Sequence, residues 1–249
     1  MLHYTQTGNG TTVVLIHGFC ETNTCFDKQV LLLKAHCKVI TLDLPGAGKS
    51  TVQTNTSMES MADAVYELLT HLCETKVVML GHSMGGYVTM AFAKKYEHML
   101  SAFGLLHSTA TSDNDERKLK RDQAKQLIIT KGPAFYARNF IPPLFYESTP
   151  KEITEPYVKI ADSFSSEGLC EALMAMKNRE DLTSILRSTT LPVFFAIGKY
   201  DSLIPEDVML KQSLMCNKSY VAYLSKSAHM GHIEEAELLA QHIIKFTSV

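Results

Sequence analysis

The sequence predicts an α/β fold with a mostly parallel central sheet flanked by helices. Three observations predict it. Short apolar, β-branched runs alternate with helical patterns over most of the 249 residues; a Gly-x-Ser-x-Gly segment joins one such run to one such helix; and a single long helix-patterned stretch interrupts the alternation. Strands linked by crossover helices lie parallel and are covered on both faces. Their side chains are therefore apolar throughout, not only at every second position.

Taken in order, the predicted strands are residues 12–17, 38–43, 76–81, 102–107, 193–198 and 220–224, each bounded by Gly, Pro or Asp or by a polar turn. Few strands fit before Thr12. Thr56 with Glu59 three residues on is a capping-box signature, and Met61, Val65, Leu68 and Leu72 then repeat at helical spacing. Residues 85–96 form a second predicted helix. Residues 234–246 form a third, with Ala236, Leu239, Ala240 and Ile243 on its buried stripe. Residues 113–190 carry helical patterns with little strand signal, which divides the chain into a core of residues 1–112 and 191–249 and a helical insertion. An insertion after a strand of a parallel sheet lies beyond the strand's carboxyl end, where such sheets bind ligands, so it is expected to act as a lid.

Bulk properties exclude several classes. Lys plus Arg number 24 against 26 Asp plus Glu, a net charge of −2, which directs the protein to neither nucleic acid nor an anionic membrane. No apolar run is long enough to span a bilayer. The first ten residues lack the basic start and apolar stretch of a secretory signal, so a cytoplasmic location is expected, with the six cysteines mostly buried and reduced. No C-x-x-C spacing occurs, and no metal site is expected. Gly46-Ala47-Gly48-Lys49-Ser50 ends like a phosphate-binding loop. The first glycine of that motif would fall on Asp43, so the segment reads instead as a rigid turn at a strand end.

Gly81-His82-Ser83-Met84-Gly85 follows a predicted strand and opens a predicted helix. A turn this tight strains the serine backbone, and side chains two positions either side would collide; hence glycine at 81 and 85. A serine hydroxyl is a weak nucleophile unless a base takes its proton, and the base needs a carboxylate to fix its tautomer. In this strand–turn–helix arrangement the partners follow in the order acid, then histidine. Asp201 ends the strand 193–198 at the same sheet edge as Ser83. His229 lies in the loop after the next strand. Asp113 is the alternative acid, and His232, which begins the last helix, the alternative base. Oxyanion donors are expected from the N–H of Met84 and the N–H of Phe19, in the loop His17-Gly18-Phe19-Cys20. Gly18, Cys20 and His82, with Phe135, Phe140 and Leu144 from the insertion, are the expected lining of the substrate site.

These blocks resemble the α/β-hydrolase fold family, in particular its lid-bearing serine esterases and related hydrolases. They are His17-Gly18-Phe19, the segment from Asp43 to Ser50, Gly81 to Gly86, Gly198-Lys199-Tyr200-Asp201 and the segment from His229 to Glu234. The resemblance implies a Ser83–His229–Asp201 triad, an oxyanion hole at Phe19 and Met84, a lid in the unmatched region and no cofactor. Relatives with an aspartate nucleophile are set aside because position 83 is Ser.

The expected reaction is acyl transfer from a small-molecule carboxylic ester with a mainly apolar group. Arg138 is a possible partner for an acidic substrate. Carbon–carbon bond hydrolysis, cofactor-free lyase and perhydrolase chemistry reuse the same triad and are alternatives, and a non-catalytic small-ligand receptor is a remoter one. Oligomeric state is open.

Overall fold

The computed structural model describes residues 1–248. Seven strands form one sheet: β1 (Tyr4–Thr7), β2 (Thr12–Ile16), β3 (Lys38–Leu42), β4 (Val77–His82), β5 (Leu100–Leu106), β6 (Val193–Gly198) and β7 (Ser219–Leu224). Their order across the sheet is β1-β3-β2-β4-β5-β6-β7. All neighbours are parallel except β1, which pairs antiparallel with β3. One strand therefore precedes Thr12.

Alternation along each strand divides the core into two layers. Val14, Ile16, Ile40, Leu42, Met79, Phe103, Phe195 and Ile197 face α2 (Met58–His71) and α3 (Met84–Tyr96). Val13, Leu15, Val39, Val78, Leu80, Phe194 and Ala196 face α1 (Asp27–Leu33) and α11 (Ala236–Thr247). Between β5 and β6 lie α4 (Asp115–Lys131), α5 (Pro133–Phe140), α6 (Lys151–Lys159), α7 (Ser166–Asn178) and α8 (Thr183–Ser188). A bond of 2.8 Å from Leu182 N–H to the Ala110 carbonyl ties the two ends of this segment. The remaining helices are α9 (Glu206–Ser213) and the one-turn α10 (Gly231–Glu234). Among the described residues no helix is long and apolar enough to cross a membrane.

Two local expectations need correction. The cap of α2 is Ser57, not Thr56: Ser57 Oγ accepts from Ser60 N–H, Ser60 Oγ accepts from Ser57 N–H, and the Thr56 hydroxyl instead donates to the Gln53 carbonyl. The last predicted helix, 234–246, starts later, as α11, because Glu235 (φ −125°, ψ 46°) breaks it from α10, which holds His232 and Glu234. The break lets the Glu235 carboxylate accept from Lys226 N–H and the Glu234 carboxylate from Ala228 N–H, so both brace the loop before α10. The Asp43 turn is closely braced. The buried Asp43 carboxylate accepts from the N–H groups of Asn23 and Lys49, and a Cβ on Gly48 (φ +52°) would overlap it at 2.3 Å.

Candidate active site

Ser83 stands between β4 and α3 at φ 49°, ψ −115°, a conformation that costs a non-glycine residue strain. Surrounding contacts hold it there. Its N–H donates to the Leu106 carbonyl at 2.9 Å, and its carbonyl accepts from Gly86 N–H at 2.9 Å and from the Ser108 hydroxyl at 2.7 Å. The turn tolerates no side chains beside it. A Cβ on Gly81 would lie 2.1 Å from the Gly85 carbonyl oxygen, and one on Gly85 2.2 Å from that of Ile16. Gly81→Ala is therefore expected to cost about 3 kcal/mol and lower Tm by roughly 6–12 °C. An unchanged melting curve by calorimetry would contradict this packing. Met84 begins α3, so its N–H has no intrahelical partner.

Asp201 and His229 meet at the carboxyl ends of β6 and β7. Asp201 Oδ2 accepts from His229 Nδ1–H at 2.8 Å, and Oδ1 accepts from the N–H groups of Leu203 and Ile204, both at 2.9 Å. Burial favours the neutral acid, but the contacts of Asp201 with His229 and His107 outweigh it, holding its carboxyl well below the usual range. Because Nδ1 of His229 carries the proton, its Nε2 keeps the lone pair. The backbone of His229 is pinned on both sides: its N–H donates to the Leu144 carbonyl and its carbonyl accepts from His82 Nε2–H, each at 2.9 Å.

A second buried polar cluster lies beside this pair. Glu21 Oε2 accepts from Gly18 N–H at 2.5 Å and from His82 Nδ1 at 2.8 Å; His232 Nε2 stands 3.5 Å from Oε1, too far for a full bond. The ligand-type atoms of Glu21, His82 and His232 lie within 4.8 Å of one another, close enough to hold a metal. Both ring nitrogens of His82 are committed, however, one to a carboxylate and one to a carbonyl. Both acceptors need a proton, so His82 is an imidazolium paired with an ionised Glu21. Consistent with this, burial lowers the His82 pKa but Glu21 raises it more, for a net rise, and Glu21 is held well below its usual value against burial by His82 and His232.

Three other buried histidines, His17, His107 and His232, are held toward the neutral form. Burial lowers His17, and takes His107 and His232 each to about 4. The unfolded chain protonates these rings from about pH 6.5 downward, while in the folded chain each requires a lower pH, near 4 for His107 and His232. Between those values the unfolded state binds more protons, so stability falls as pH falls. Below that window the stabilisation from Asp201 and Glu21 is lost in turn. His82 acts oppositely, its contribution being complete below about pH 6.5 and lost on the alkaline side. Tm is accordingly expected to drop steadily from pH 7 to pH 5. A flat profile in a thermal melt series would contradict these assignments.

Ser83 and His229 open together into a cavity of about 270 Å³, walled by Phe19, Tyr87, Tyr136, Phe140, Leu173, Met176, Leu203 and Ile204. Phe19 packs edge-on against Tyr136 and Phe140, at ring-centroid distances of 6.1 and 5.6 Å. Other residues expected at the substrate site lie outside this cavity. Phe135 is 48% exposed on the outer face of α5. Leu144 is buried and contributes its carbonyl to the His229 loop. His82 and Gly18 are committed to Glu21, and Cys20 lines a separate cleft of about 10 Å³. Arg138 is paired with Asp162 at the surface, and Asp113 with Arg121 and Arg179. His232 is fully buried in α10, away from the cavity wall. Sequence reasoning missed Glu21, His107, Arg117, Lys120 and Arg121. His107 closes β5 at the edge shared by Ser83 and Asp201, and its Nδ1 is 3.4 Å from Asp201 Oδ2. Its strand-end position was the available signal. For the three cations the signal was the dense charged stretch at the start of the insertion.

This fold and turn define a class, and the chain belongs to the alpha/beta hydrolase fold family, whose model matches residues 11–236. Among solved structures it is similar to a thermophilic esterase from Thermogutta terrifontis, solved with malate bound: 32% identity over 99% of this chain and 93% of that one, TM-score 0.95. It is 26% identical to the uncharacterized hydrolase YugF of Bacillus subtilis (strain 168), over 98% of this chain and 92% of the relative. It is also 26% identical to the putative carbamate hydrolase RutD of Pantoea ananatis (strain LMG 20103), over 80% and 74%. Fold and relatives together support hydrolase activity.

Proposed function

We propose that the chain is a serine hydrolase acting on carboxylic esters with a mainly apolar group. Ser83 is the nucleophile, His229 the general base and Asp201 the carboxylate that orients it. The observation that carries this reading is the Asp201–His229 bond of 2.8 Å, with His229 and a strained Ser83 sharing one cavity. Nε2 of His229 takes the hydroxyl proton as Ser83 attacks the ester carbonyl, and returns it to the leaving alcohol. The N–H groups of Phe19 and Met84 receive the oxyanion, each worth about 3 kcal/mol of transition-state stabilisation. Water, activated by the same imidazole, then releases the acid from the acyl-enzyme. Helices α4–α8 act as the lid, since their residues supply Tyr136, Phe140, Leu173 and Met176 to the cavity wall. Those side chains favour an apolar acyl or alcohol group.

Turnover of p-nitrophenyl esters of graded acyl length, beside a p-nitrophenyl carbamate, tests the proposal. Ester hydrolysis with a burst of nitrophenol is the expected outcome. Preference for the carbamate would move the substrate class toward that named for one relative, and no release from either would sink the proposal.

A further inference from the structure

The cavity wall has one feature that an apolar ester does not explain. Arg117, Lys120 and Arg121 all line it, and no carboxylate does. With Ala124, which also lines it, they fall at positions i, i+3, i+4 and i+7 of α4, so one stripe of that helix is turned to the cavity, and its first two turns are cationic. An ordinary covering helix turns an apolar stripe inward. The placement is also unfavourable in isolation, because basic side chains near a helix amino terminus oppose the macrodipole.

Neighbouring groups neutralise it only in part. Asp113, buried, is one carboxylate shared by two guanidiniums: Arg121 Nε at 3.1 Å and Arg179 Nη1 at 2.8 Å. That trio carries one positive charge in excess. Arg121 uses only Nε on Asp113, which leaves its two terminal nitrogens for a ligand. Arg117 is held by a bond from Nη2 to the Leu203 carbonyl, in the loop whose N–H groups bind Asp201, so its charge is anchored close to the His229–Asp201 pair. Lys120 is the exposed member, paired at 2.7 Å with Glu116.

We propose that the substrate of this site carries a carboxylate besides its ester group, bound by Arg117 and Arg121, with Lys120 at the mouth. This rests on the ester-hydrolase reading above and narrows its substrate class to half-esters of dicarboxylic acids and comparable anionic esters. A planar carboxylate accepts two parallel N–H donors from a guanidinium, a match that lysine lacks.

Two substrates of equal shape test it: the mono-p-nitrophenyl ester of glutaric acid, and the uncharged ester in which isopropyl replaces the carboxylate. The wild type is expected to favour the anionic ester in kcat/KM by roughly 10- to 100-fold. Arg117→Gln and Arg121→Gln should each reduce that ratio by about tenfold, and added salt should reduce it further. Equal or reversed preference in the wild type, or a ratio untouched by both substitutions, overturns the proposal. Calorimetric binding of monomethyl glutarate to the Ser83→Ala protein keeps the test independent of turnover. Binding weakened by Arg121→Gln supports the carboxylate site even if the ester-hydrolase reading fails, and no binding overturns it even if neutral esters are cleaved.

Discussion

Ser83→Ala is expected to lower kcat for ester hydrolysis by about four to six orders of magnitude while leaving the fold intact. The substitution removes one hydroxyl from a residue that is only partly buried. The contacts that hold the turn are made by the Ser83 backbone, to Leu106, Gly86 and Ser108, and alanine keeps all of them. Tm should therefore move by no more than a few degrees. What remains after the loss is whatever the oxyanion donors and the cavity achieve with water as nucleophile. Steady-state kinetics beside a thermal melt of the same preparation checks both halves. Activity within tenfold of wild type would mean that another group performs the chemistry.

Asp201→Asn is expected to be nearly as damaging, about 10⁴-fold in kcat, for a reason visible in its hydrogen bonds. Oδ1 accepts from two backbone N–H groups, Leu203 and Ile204, so the amide oxygen of asparagine must occupy that position. Its NH₂ is then forced toward His229 Nδ1, which has to accept. The imidazole proton moves to Nε2, which can then no longer act as a base. The defect is one of tautomer and not of binding, so KM should change far less than kcat. A fall confined to KM, with kcat retained, would show that Asp201 serves some other purpose.

The sheet was legible in the sequence because β2 to β6 are buried on both faces and read as apolar runs, while β7, an edge strand that exposes Val221 and Tyr223, still reads as a β-branched and aromatic run. Boundaries moved by only one or two residues, as with β5, which begins at Leu100 instead of 102. β1 was not legible. Tyr-Thr-Gln-Thr is a half-exposed edge segment without an apolar run, and its pairing with β3 is a long-range event with little local signature. Within the candidate site, the residues at strand ends and in the serine turn could be read, since glycine spacing and chain order constrain them. The lining could not. Whether Phe135 or Phe140 meets the cavity depends on how α5 is rotated against its neighbours, which composition does not encode. Phe140 faces in and Phe135 faces out. Glu21 was invisible for a similar reason: its partners His82 and His232 are far away in sequence, and only folding brings them together. Arg117, Lys120 and Arg121 belong to no sequence motif, and only the course of α4 turns them toward the cavity.

The most direct test of the central claim is covalent labelling with a fluorophosphonate, followed by peptide mapping. If Ser83 is activated by His229, one equivalent of reagent should bind, the modified peptide should contain Ser83, and both Ser83→Ala and His229→Ala should abolish the reaction. An unlabelled wild-type protein, or a label on any other residue, would contradict the account.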